Sequence, residues 1–401
     1  MKTIILASGE NSRLFPFSRI PNPLLRLGYS SLLAHYLDWL KKIALSNVNI
    51  VVDEANESIQ KQFGNGSDYN CHINYCSQPH DKPGIGNALS LAKENINVGD
   101  YFLLIYGDTI FDENVFLAAL ETFSATKEAV AVITHSKTPK IHGNIYLDHE
   151  MCINKLVEKP EEGQWGNYVL GGVFILPYSF FQILEDNNSS MEAALQKFLH
   201  TNKLKASLWE EEWIDIVYPW DILAANRIVM DKWEGIHIHS TADIAQDVHI
   251  NGPVYIDEGA EIKGGTIING PVYIGKNSII GNNALIRNYT SLGEGAKVGY
   301  GVEVKNCVLF NNVVIGRLSF LGDSVIGENV DIGSGVMTIN SLNSMGNIPV
   351  EVNGKEIDSE RKKVGTFVGN ESVIGANNII KPGTIIPPDS DIPAHYTYPA
   401  S

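Results

Sequence analysis

Apolar residues in the first half of the chain form short continuous runs separated by amphipathic segments. Runs at 3–8 (TIILAS), 48–53 (VNIVVD) and 101–108 (YFLLIYGD) are typical of strands buried on both faces, and residues 31–44 repeat apolar side chains at spacings of three and four. This alternation predicts an α/β domain with a mostly parallel sheet. Ligands of such sheets bind beyond the carboxyl ends of the strands, so the loop after Ser8 and the residue Asp108 are candidate site positions.

A different period begins near residue 244, where an aliphatic or aromatic residue recurs at every sixth position. The series is Ile244, Ile250, Ile256, Ile262, Ile268, Ile274, Ile280, Ile286, Leu292, Val298, Val304 and Phe310. Helices and ordinary strands have periods near 3.6 and 2, so a six-residue repeat predicts a parallel β-helix. After one slip we expect the step to resume at Val314, Phe320, Ile326 and Ile332, and again at Val368, Ile374, Ile380 and Ile386.

Polar residues from about 338 to 363 interrupt this repeat. We interpret them as a loop that projects from the coil, where solenoid proteins place binding surfaces. The change of period also divides the chain. We predict an α/β domain over residues 1–235 and a β-helix domain over residues 236–401, joined by a short helical segment.

Composition narrows the class of partner. The formal net charge of −16 argues against nucleic acid or an anionic membrane as the main partner, although a local cationic pocket could still bind a small anionic substrate. No apolar run approaches the ~20 residues that span a bilayer. The four cysteines show no paired CxxC spacing, which predicts free thiols in a reducing, cytoplasmic compartment.

The opening loop, ASGENSR at 7–13, is the first candidate for chemistry. A glycine just after a strand lets a ligand approach the backbone closely, and backbone amides with Arg13 could hold a triphosphate. Taken alone this signal is weak, because most turns of this kind bind nothing. Asp108 and Asp215 both follow strand-like runs, so they could together hold Mg²⁺, or each could simply cap a strand.

Two further loops supply polar groups. Gln78 precedes Gly84 and Gly86, so its amide could meet a base edge while the glycines leave room for a flat ring. Glu158 and Lys159 could contact a sugar hydroxyl and a phosphate. Each of these residues could equally be an ordinary loop residue.

Taken together and in this order, the motifs resemble the sugar-1-phosphate nucleotidylyltransferases. These include the glucose-1-phosphate thymidylyl- and uridylyltransferases and the two-domain N-acetylglucosamine-1-phosphate uridylyltransferases, which carry a left-handed β-helix acetyltransferase domain. The residues that match the family's opening pattern, L-A-x-G-x-G-x-R-L-x-P followed by P-K-P-L, are Leu6, Ala7, Gly9, Arg13, Leu14, Pro16, Pro21, Pro23 and Leu24. Gln78 with Gly84, Asp108, Asp215 and Glu158-Lys159-Pro160 match its later motifs.

The resemblance implies an architecture and a reaction. The fold would be a Rossmann-like nucleotidyltransferase domain followed by a left-handed parallel β-helix. In the reaction, a sugar phosphate oxygen attacks the α-phosphorus of UTP or dTTP in line and pyrophosphate leaves. The implied sugar phosphate is of the N-acetylglucosamine-1-phosphate or glucose-1-phosphate class, and the product is a UDP- or dTDP-sugar.

The resemblance also assigns roles to individual residues. The implied nucleotide-binding set is Leu6, Ala7, Ser8, Gly9, Arg13, Gln78, Gly84 and Asp108. The implied sugar-phosphate set is Gly143, Glu158, Lys159 and Gly172. Asp108 and Asp215 would hold Mg²⁺, and the implied catalytic set is Arg13, Asp108, Lys159 and Asp215.

The first half departs from the family pattern at three places. Asn11 replaces the second loop glycine, and asparagine tolerates a positive φ better than most residues. Asn22 replaces the lysine that meets the reacting phosphates, a loss that could cost ~10²–10³ in rate. Leu170-Gly171-Gly172 stands where the family has N-A-G, so one sugar-contacting amide is lost.

The second half departs in a similar way. Residues 317–335 resemble the acetyltransferase segment that begins H-L-[ST]-Y, in which the histidine deprotonates the sugar amine. Here Arg317 replaces the histidine and Phe320 the tyrosine, and arginine cannot act as a base at neutral pH. Arg287, Lys305, Asn340 and Lys363 keep the family's substrate-binding positions, so a pocket is expected without its base.

Three functions remain open on this evidence. The first is an active nucleotidylyltransferase with a degenerate acetyltransferase domain. The second is a non-catalytic regulatory or nucleotide-sugar-sensing homologue. The third, full bifunctionality, would add acetyl-CoA as a substrate and requires another base. The resemblance further implies a homotrimer formed through the β-helix.

Overall fold

The computed structural model describes residues 1–9, 11–136, 143–158, 166, 168–343 and 346–398. By contacts the chain separates into two compact units, each with its own core. The α/β unit comprises residues 1–10, 21–24 and 32–215, and the β-helix unit comprises residues 11–20, 25–31 and 216–401.

The helices and strands up to residue 230 are β1 (Lys2–Ala7), β2 (Arg26–Leu27), β3 (Ser30–Ser31), α1 (Leu32–Lys42), β4 (Asn47–Asp53), α2 (Ser58–Phe63), β5 (His72–Gln78), α3 (Ile85–Leu91), β6 (Tyr101–Tyr106), β7 (Thr109–Phe111), α4 (Val115–Thr126), β8 (Ala129–Thr134), β9 (Gly143–Leu147), β10 (Ile153–Glu158), β11 (Tyr168–Pro177), α5 (Phe180–Asp186), α6 (Met191–Thr201), β12 (Leu204–Trp209), β13 (Trp213–Asp215) and α7 (Asp221–Met230). Up to residue 134 most strands alternate with helices, as the periodicity predicts, whereas the strands β8 to β11 follow one another with no described helix between them.

One sheet organises the α/β unit. Its described strands run in the order β10-β9-β11-β6-β1-β4-β5, with β8 paired to both β11 and β12. Strands β6, β1, β4 and β5 are parallel to one another, and β11 joins this parallel core antiparallel to β6. The arrangement is Rossmann-like, as predicted, and it sets the carboxyl ends of β1 and β6 side by side.

Both faces of this sheet are buried, which explains the continuous apolar runs of its strands. Ile4 of β1 and Leu104 of β6 pack into a cluster with residues of α3, α5 and α6. Their neighbours Ile5 and Ile105, which point to the opposite face, are also fully buried. Helix α6 begins at a conventional cap, because the Ser190 side chain accepts a hydrogen bond from the amide of Ala193.

The strands of the β-helix unit are two to four residues long. They are β14 (Ile236–Ile238), β15 (Asp243–Ile244), β16 (His249–Asn251), β17 (Val254–Ile256), β18 (Glu261–Ile262), β19 (Ile267–Asn269), β20 (Val272–Ile274), β21 (Ile279–Ile280), β22 (Leu285–Ile286), β23 (Thr290–Leu292), β24 (Lys297–Val298), β25 (Glu303–Lys305), β26 (Val308–Leu309), β27 (Val314–Ile315), β28 (Phe320–Gly322), β29 (Val325–Ile326), β30 (Asp331–Ile332), β31 (Met337–Thr338), β32 (Pro349–Val352), β33 (Lys355–Asp358), β34 (Thr366–Val368), β35 (Val373–Ile374), β36 (Ile379–Ile380), β37 (Thr384–Ile386), β38 (Asp391–Ile392) and β39 (Thr397–Tyr398).

Apart from the hairpin β32–β33, these strands stack into three parallel sheets of eight. Every third strand joins the same sheet, so the chain coils around a three-sided column whose interior holds the apolar residue of each repeat. Asparagine at φ values near +55°, as at Asn277 and Asn283, turns the coil at its corners. This is the left-handed β-helix architecture that the hexapeptide repeat predicts.

The inward positions follow the predicted series through Val304 and then move by one residue. Leu309, not Phe310, lies in the core, because Leu292 pairs with the residue 17 positions later instead of 18. Phe310 is also buried, but its ring contacts Phe17 edge-on with centroids 5.5 Å apart. The expected inward place of Phe310 is therefore wrong.

The same correction applies to the next two predicted positions. Ile315 and Leu321 line the core, whereas Val314 and Phe320 do not. The series returns to its predicted place at Ile326, because the chain takes five residues instead of six between Leu321 and Ile326. Two successive coils are thus each one residue short, both on the side that leads from β25 to β26 and from β28 to β29, and a strict period of six misses these deletions.

The interruption in the repeat is an excursion, as predicted. Ile326 of β29 pairs directly with Val368 of β34, so the residues between β31 and β34 leave the column without breaking its stacking. Part of the excursion is the antiparallel hairpin β32–β33, which the sequence analysis did not predict.

All four cysteines are free thiols. Within the described part of the chain, no helix is both long and apolar enough to cross a bilayer.

Candidate active site

The carboxyl ends of β1 and β6 meet at Gly107. Leu6 pairs with Tyr106, and the amide of Gly107 donates to the carbonyl of Leu6 at 2.9 Å. A side chain at position 107 would collide with that carbonyl oxygen, which explains the glycine. This close approach sets Asp108 beside the end of β1, where the residues predicted to bind nucleotide begin.

Asp108 and Asp215 come together although they are far apart in the sequence. Strands β7 and β13 form a short antiparallel pair in which Asp215 lies opposite Thr109, the residue after Asp108. Within the described residues no group of three or more histidine, cysteine or acidic side chains could hold a metal. The site therefore offers two carboxylates, a set that suits Mg²⁺ because this ion takes one or two carboxylates with substrate phosphates and water.

Tyr36 of α1 lies under this pair of acids. Its hydroxyl hydrogen-bonds the carbonyl of Thr109 and lies 3.2 Å from the carbonyl oxygen of Tyr106, so it braces the backbone on both sides of Asp108. Burial is the main cause that raises the pKa of Tyr36, and the negative charges of Asp108 and Asp215 raise it further. The hydroxyl is therefore a permanent donor at neutral pH, and both carboxylates lie close enough to affect it.

The sequence analysis missed Tyr36. It lies inside an amphipathic helix whose apolar spacing accounts for a buried tyrosine without any function. Only the polar partners of its hydroxyl separate it from the other buried residues of α1.

Gly172 lies next to the same backbone turn. The register of β11 shifts between Leu170 and Phe174, and Gly172 there adopts a φ of +81°. A Cβ at this position would lie 3.2 Å from Thr109 Cγ2 and 3.2 Å from Tyr106 Cβ. The structure thus brings the predicted sugar-phosphate residue Gly172 beside the segment that carries Asp108.

Gln78 is buried at the end of β5, and its own loop uses its amide. Its Nε2 donates to the carbonyl oxygens of Lys82 at 2.8 Å and Gly84 at 3.1 Å. Its Oε1 accepts a hydrogen bond from Ser8 Oγ, which joins the end of β5 to the end of β1. Gln78 therefore shapes the loop of Gly84, and a base edge would have to exchange with these partners.

The two glycines of this loop differ. Gly84 has a φ of +99° and open space where a side chain would lie. Gly86 is buried, and a Cβ there would collide with the carbonyl oxygen of Ser189. The expectation that Gly86 leaves room for a base is wrong, because protein backbone already occupies that space.

The sugar-phosphate residues of β9 and β10 also meet. Gly143 pairs with Glu158 at the end of the antiparallel pair β9–β10, and the neighbouring Asn144 pairs with Val169 of β11. Lys159, to which the resemblance assigns a catalytic role, lies outside the described residues.

The opening loop accommodates Asn11 without a left-handed backbone. Asn11 has a φ of −100°, so no positive φ is needed there, and its side-chain amide donates to the carbonyl of Ile20 at 2.8 Å. Gly9 has no other atom within 4 Å of a Cβ position. Arg13 lies in the 3-10 turn Ser12–Leu14.

Asn22 begins another 3-10 turn, Asn22–Leu24, in the α/β unit. The next residue, Pro23, has its Cγ 3.1 Å from a Cβ position at Gly107. The residue that replaces the family's lysine therefore lies near the turn that carries Asp108.

The residues of the acetyltransferase-like pocket line one side of the β-helix. Arg287 follows β22 and Lys305 ends the adjacent β25, which pairs with β28 through Lys305 and Gly322. A Cβ at Gly322 would lie 2.8 Å from Asn340 Nδ2 and 2.8 Å from Phe320 Cζ. The third sheet of the β-helix, formed by β16, β19, β22, β25, β28, β31, β36 and β39, thus brings these groups of neighbouring coils together.

Acidic residues neutralise part of the positive charge of this pocket. Arg287 donates to Glu303 at 2.7 Å, and the buried Asp323 accepts hydrogen bonds from Asn306 at 2.7 Å and Asn340 at 2.5 Å. Arg317 and Lys363 are exposed. The sequence has no histidine between His249 and His395, so no imidazole of these coils replaces the missing base.

Comparison with known proteins agrees with both units. Residues 2–232 match the nucleotidyl transferase family, and residues 268–387 match the GMPPB C-terminal domain. The bifunctional sugar-1-phosphate nucleotidylyltransferase/acetyltransferase of Sulfurisphaera tokodaii is 33% identical over 94% of this chain and 92% of its own length. The bifunctional protein GlmU of Methanocaldococcus jannaschii is 33% identical over 94% of this chain and 89% of its own length.

A further nucleotidyltransferase and a solved structure extend the comparison. The low-salt glycan biosynthesis nucleotidyltransferase Agl11 of Haloferax volcanii is 30% identical over 83% of this chain and 94% of its own length. The crystal structure of a proposed glucose-1-phosphate thymidylyltransferase from Bacillus anthracis superimposes with a TM-score of 0.54 at 23% identity, covering 59% of this chain and 97% of that one. This structure supports the fold alone.

The family match spans more than half of the chain, and the relatives span nearly all of it. With two acids at the carboxyl edge of a Rossmann-like sheet and a β-helix behind them in the sequence, the chain belongs to the nucleotidyl transferase family, among its sugar-1-phosphate nucleotidyltransferases.

Proposed function

We propose that the α/β unit transfers a uridylyl or thymidylyl group from UTP or dTTP to a sugar 1-phosphate and releases pyrophosphate. The observation that carries this proposal is the pairing of Asp215 with Thr109, which sets a second carboxylate beside Asp108 where β6 ends. In α/β sheets ligands bind at this edge. The proposed substrate is of the N-acetylglucosamine-1-phosphate or glucose-1-phosphate class.

The cofactor of this proposal is Mg²⁺, held by Asp108 and Asp215. When bound, the ion would neutralise charge on the nucleotide phosphates. The chain's own groups would orient the substrates. Gly84 and the Gln78 loop would receive the base, Ser8 and Gly9 would lie along the phosphates, and Gly143, Glu158 and Gly172 would contact the sugar phosphate.

The names of the relatives support this substrate class. Two of them are described as bifunctional, and one explicitly as acting on sugar 1-phosphates. The proposal includes both uracil and thymine nucleotides, because the Gln78 amide has donors and an acceptor for either base.

The direct test is pyrophosphate release with UTP or dTTP and a panel of sugar 1-phosphates in Mg²⁺. We expect turnover with at least one pair, and omission of the metal should abolish it. Absence of turnover with every pair would eliminate the proposal in favour of a regulatory or nucleotide-sugar-sensing role. Tight binding of a nucleotide sugar without turnover would then identify the sensing role positively.

We propose that the β-helix unit has lost acetyl transfer. The support is the exposed Arg317 at the position of the family's histidine, together with the absence of any other histidine from residue 250 to residue 394. Acetyl-CoA consumption with glucosamine-1-phosphate tests this proposal. We expect no turnover in the unaltered chain. Arg317→His combined with Phe320→Tyr should produce measurable turnover if the rest of the pocket is intact.

We also propose a homotrimer formed through the β-helix. Phe320 pairs with Met337, and Met337 with Ile379, so apolar side chains line up along the outside of the third sheet. Met337 and Ile379 are 44% and 43% exposed. A row of exposed apolar side chains is typical of a surface that packs against another chain. Sedimentation should give three times the chain mass, and Met337→Glu should reduce it. A monomer at micromolar concentration would refute the trimer.

A further inference from the structure

The hairpin β32–β33 leaves the coil but does not hang free in solvent. Its strand residues Val350 and Val352 are buried, as is Ile348 just before it. A Cβ at Gly383 of the coil would lie 2.6 Å from the carbonyl oxygen of Pro349, so the hairpin packs closely on the β-helix. A hairpin that packs on the coil in this way has a defined position, and it can therefore fix the position of the residues that its tip contacts.

An ion pair holds the base of the hairpin. Arg361, just after β33, has Nη2 3.5 Å from Oδ1 of Asp221, the first residue of α7. The other oxygen of Asp221 accepts hydrogen bonds from the amides of Val217 at 3.2 Å and Tyr218 at 2.8 Å. The hairpin is therefore held at its base by the start of α7.

The tip of the hairpin reaches the opening loop. Asn353, in the two-residue turn between β32 and β33, donates from its side-chain amide to the carbonyl oxygen of Ser12 at 2.8 Å. Ser12 immediately precedes Arg13. By contacts, residues 11–20 belong to the β-helix unit, as does the hairpin itself.

Two further contacts between described residues hold the same segment to the β-helix, at Phe17 and Arg19. The ring of Phe17 packs on Phe310, and Arg19 lies 3.7 Å from the carboxylate of Asp389, both of these charges being mostly exposed. The contact of Asn353 lies closer to Arg13 in the sequence, since it is made with the backbone of Ser12.

We propose that Asn353 is a positioning residue for nucleotide binding, because it orders the Ser12–Arg13 turn of its own contact unit. This inference rests on the proposed function, together with the nucleotide contact that the family resemblance implies for Arg13. A loop held in its binding conformation before the ligand arrives loses less entropy on binding. The hydrogen bond of Asn353 therefore favours tight nucleotide binding.

The test compares two asparagines of the same excursion in the full-length chain, one in the hairpin turn and one just before β32. Asn353→Asp keeps the shape of the side chain and the turn, but turns the donor into a carboxylate that faces the carbonyl oxygen of Ser12. The control is Asn347→Ala, because the described hydrogen bond of the Asn347 side chain stays within the excursion, to Asp358 at 3.2 Å. We expect Asn353→Asp to raise the KM for the nucleotide about five-fold, as the loss of one hydrogen bond predicts, with the KM for the sugar phosphate unchanged.

In the control variant both KM values should stay at those of the unaltered chain. Equal effects of the two substitutions, or no effect of Asn353→Asp, would overturn the proposal. A general loss of stability would not change the KM for the nucleotide alone. A change in that KM without a change in the KM for the sugar phosphate therefore distinguishes a positioning role from a structural one.

A second readout does not depend on catalysis. Amide hydrogen exchange over residues 11–20 should be faster in Asn353→Asp than in the unaltered chain and in Asn347→Ala, even if no sugar phosphate is turned over. Faster exchange without any turnover would leave the positioning contact standing and refute the proposed function. Unchanged exchange would refute the positioning contact itself.

Discussion

The candidate active site and the acetyltransferase-like pocket are assembled in different ways. The first joins residues from distant parts of the sequence, as when β13 brings Asp215 next to the segment of Asp108. The second takes Arg287, Lys305 and the Gly322 segment from successive coils of one repeat, through the stacking of neighbouring strands. A site built by long-range pairing needs several elements in place, whereas a site built by a repeat keeps its frame when single residues change.

This difference matters for reading the substitutions in each site. In the β-helix, Arg317 is exposed and the strands stack whatever residue stands there, so an intact coil is no evidence for or against activity. In the α/β unit, the acids, the brace of Tyr36 and the close approach at Gly107 all converge on one turn. A convergence of this kind is harder to explain without a ligand, although Asn22 has lost one expected charge.

The largest effect on activity is expected from substitution of the two acids, Asp108 and Asp215. Asp215→Asn and Asp108→Asn should each lower kcat at least about a thousand-fold, because a neutral amide is a poor ligand for Mg²⁺ and cannot replace the lost charge. Pyrophosphate release at saturating substrate measures this effect. The matched control is Asp186→Asn at the end of α5, which should retain full activity. Equal activity of all variants would mean that the two acids only cap strands.

The next effect tests the missing charge. Asn22→Lys should raise kcat by about a hundred-fold, since a cation at the reacting phosphate stabilises charge in the transition state. The same assay measures it, with Asn22→Gln as a control of similar length and no charge. A variant that binds nucleotide but turns over no faster would contradict the idea that Asn22 weakens this site.

A smaller effect is expected at Tyr36. Tyr36→Phe removes the hydroxyl that braces the turn of Asp108, and we expect kcat to fall about ten-fold at little cost in folding. The control is Tyr75→Phe, which also removes a tyrosine hydroxyl bonded to a backbone carbonyl, but that of Gly64 at 2.8 Å and not one beside Asp108. If both variants keep full kcat, the brace has no part in catalysis.

The smallest effect concerns stability in the β-helix unit. Burial is the main cause that raises the pKa of Asp221 to about 6 from 3.8, with Arg361 acting in the opposite direction. The folded chain therefore binds this proton more tightly than the unfolded chain. The contribution of Asp221 to stability is full below pH 4 and is lost as the pH rises through 6, by about 3 kcal/mol at most.

Urea unfolding at pH 4.5 and pH 7 checks this dependence. The loss of stability between the two pH values should be smaller in Asp221→Asn than in the unaltered chain. Asp331→Asn, at an exposed position of β30, is the control and should behave like the unaltered chain. An identical pH dependence in all three proteins would contradict the raised pKa.

Much of the fold could be predicted from periodicity, because burial on one or two faces leaves a repeating mark in the sequence. The β-helix core from Ile256 to Val304 follows the six-residue step. The step failed at Phe310, Val314 and Phe320, because a coil can lose one residue at a corner while its stacking continues. Nothing in the apolar pattern marks which corner is shortened.

The candidate site was predictable where chemistry stands at a strand end, as at Asp108, and unpredictable where a residue acts through contacts that only folding creates. Tyr36 and Asn353 belong to the second kind, since neither departs from an ordinary helix or turn residue until its partner is known. Gly86 shows the opposite error, because a glycine that looked available to a ligand is needed for backbone packing.

The most direct test of the account is where a divalent ion binds. Crystals grown with UTP and Mn²⁺ in place of Mg²⁺ would locate the ion by its anomalous scattering. The account predicts a peak within bonding distance of carboxylate oxygens from both Asp108 and Asp215 and of a nucleotide phosphate. A peak that contacts only one of these acids, or none at this edge of the sheet while nucleotide is bound, would contradict it.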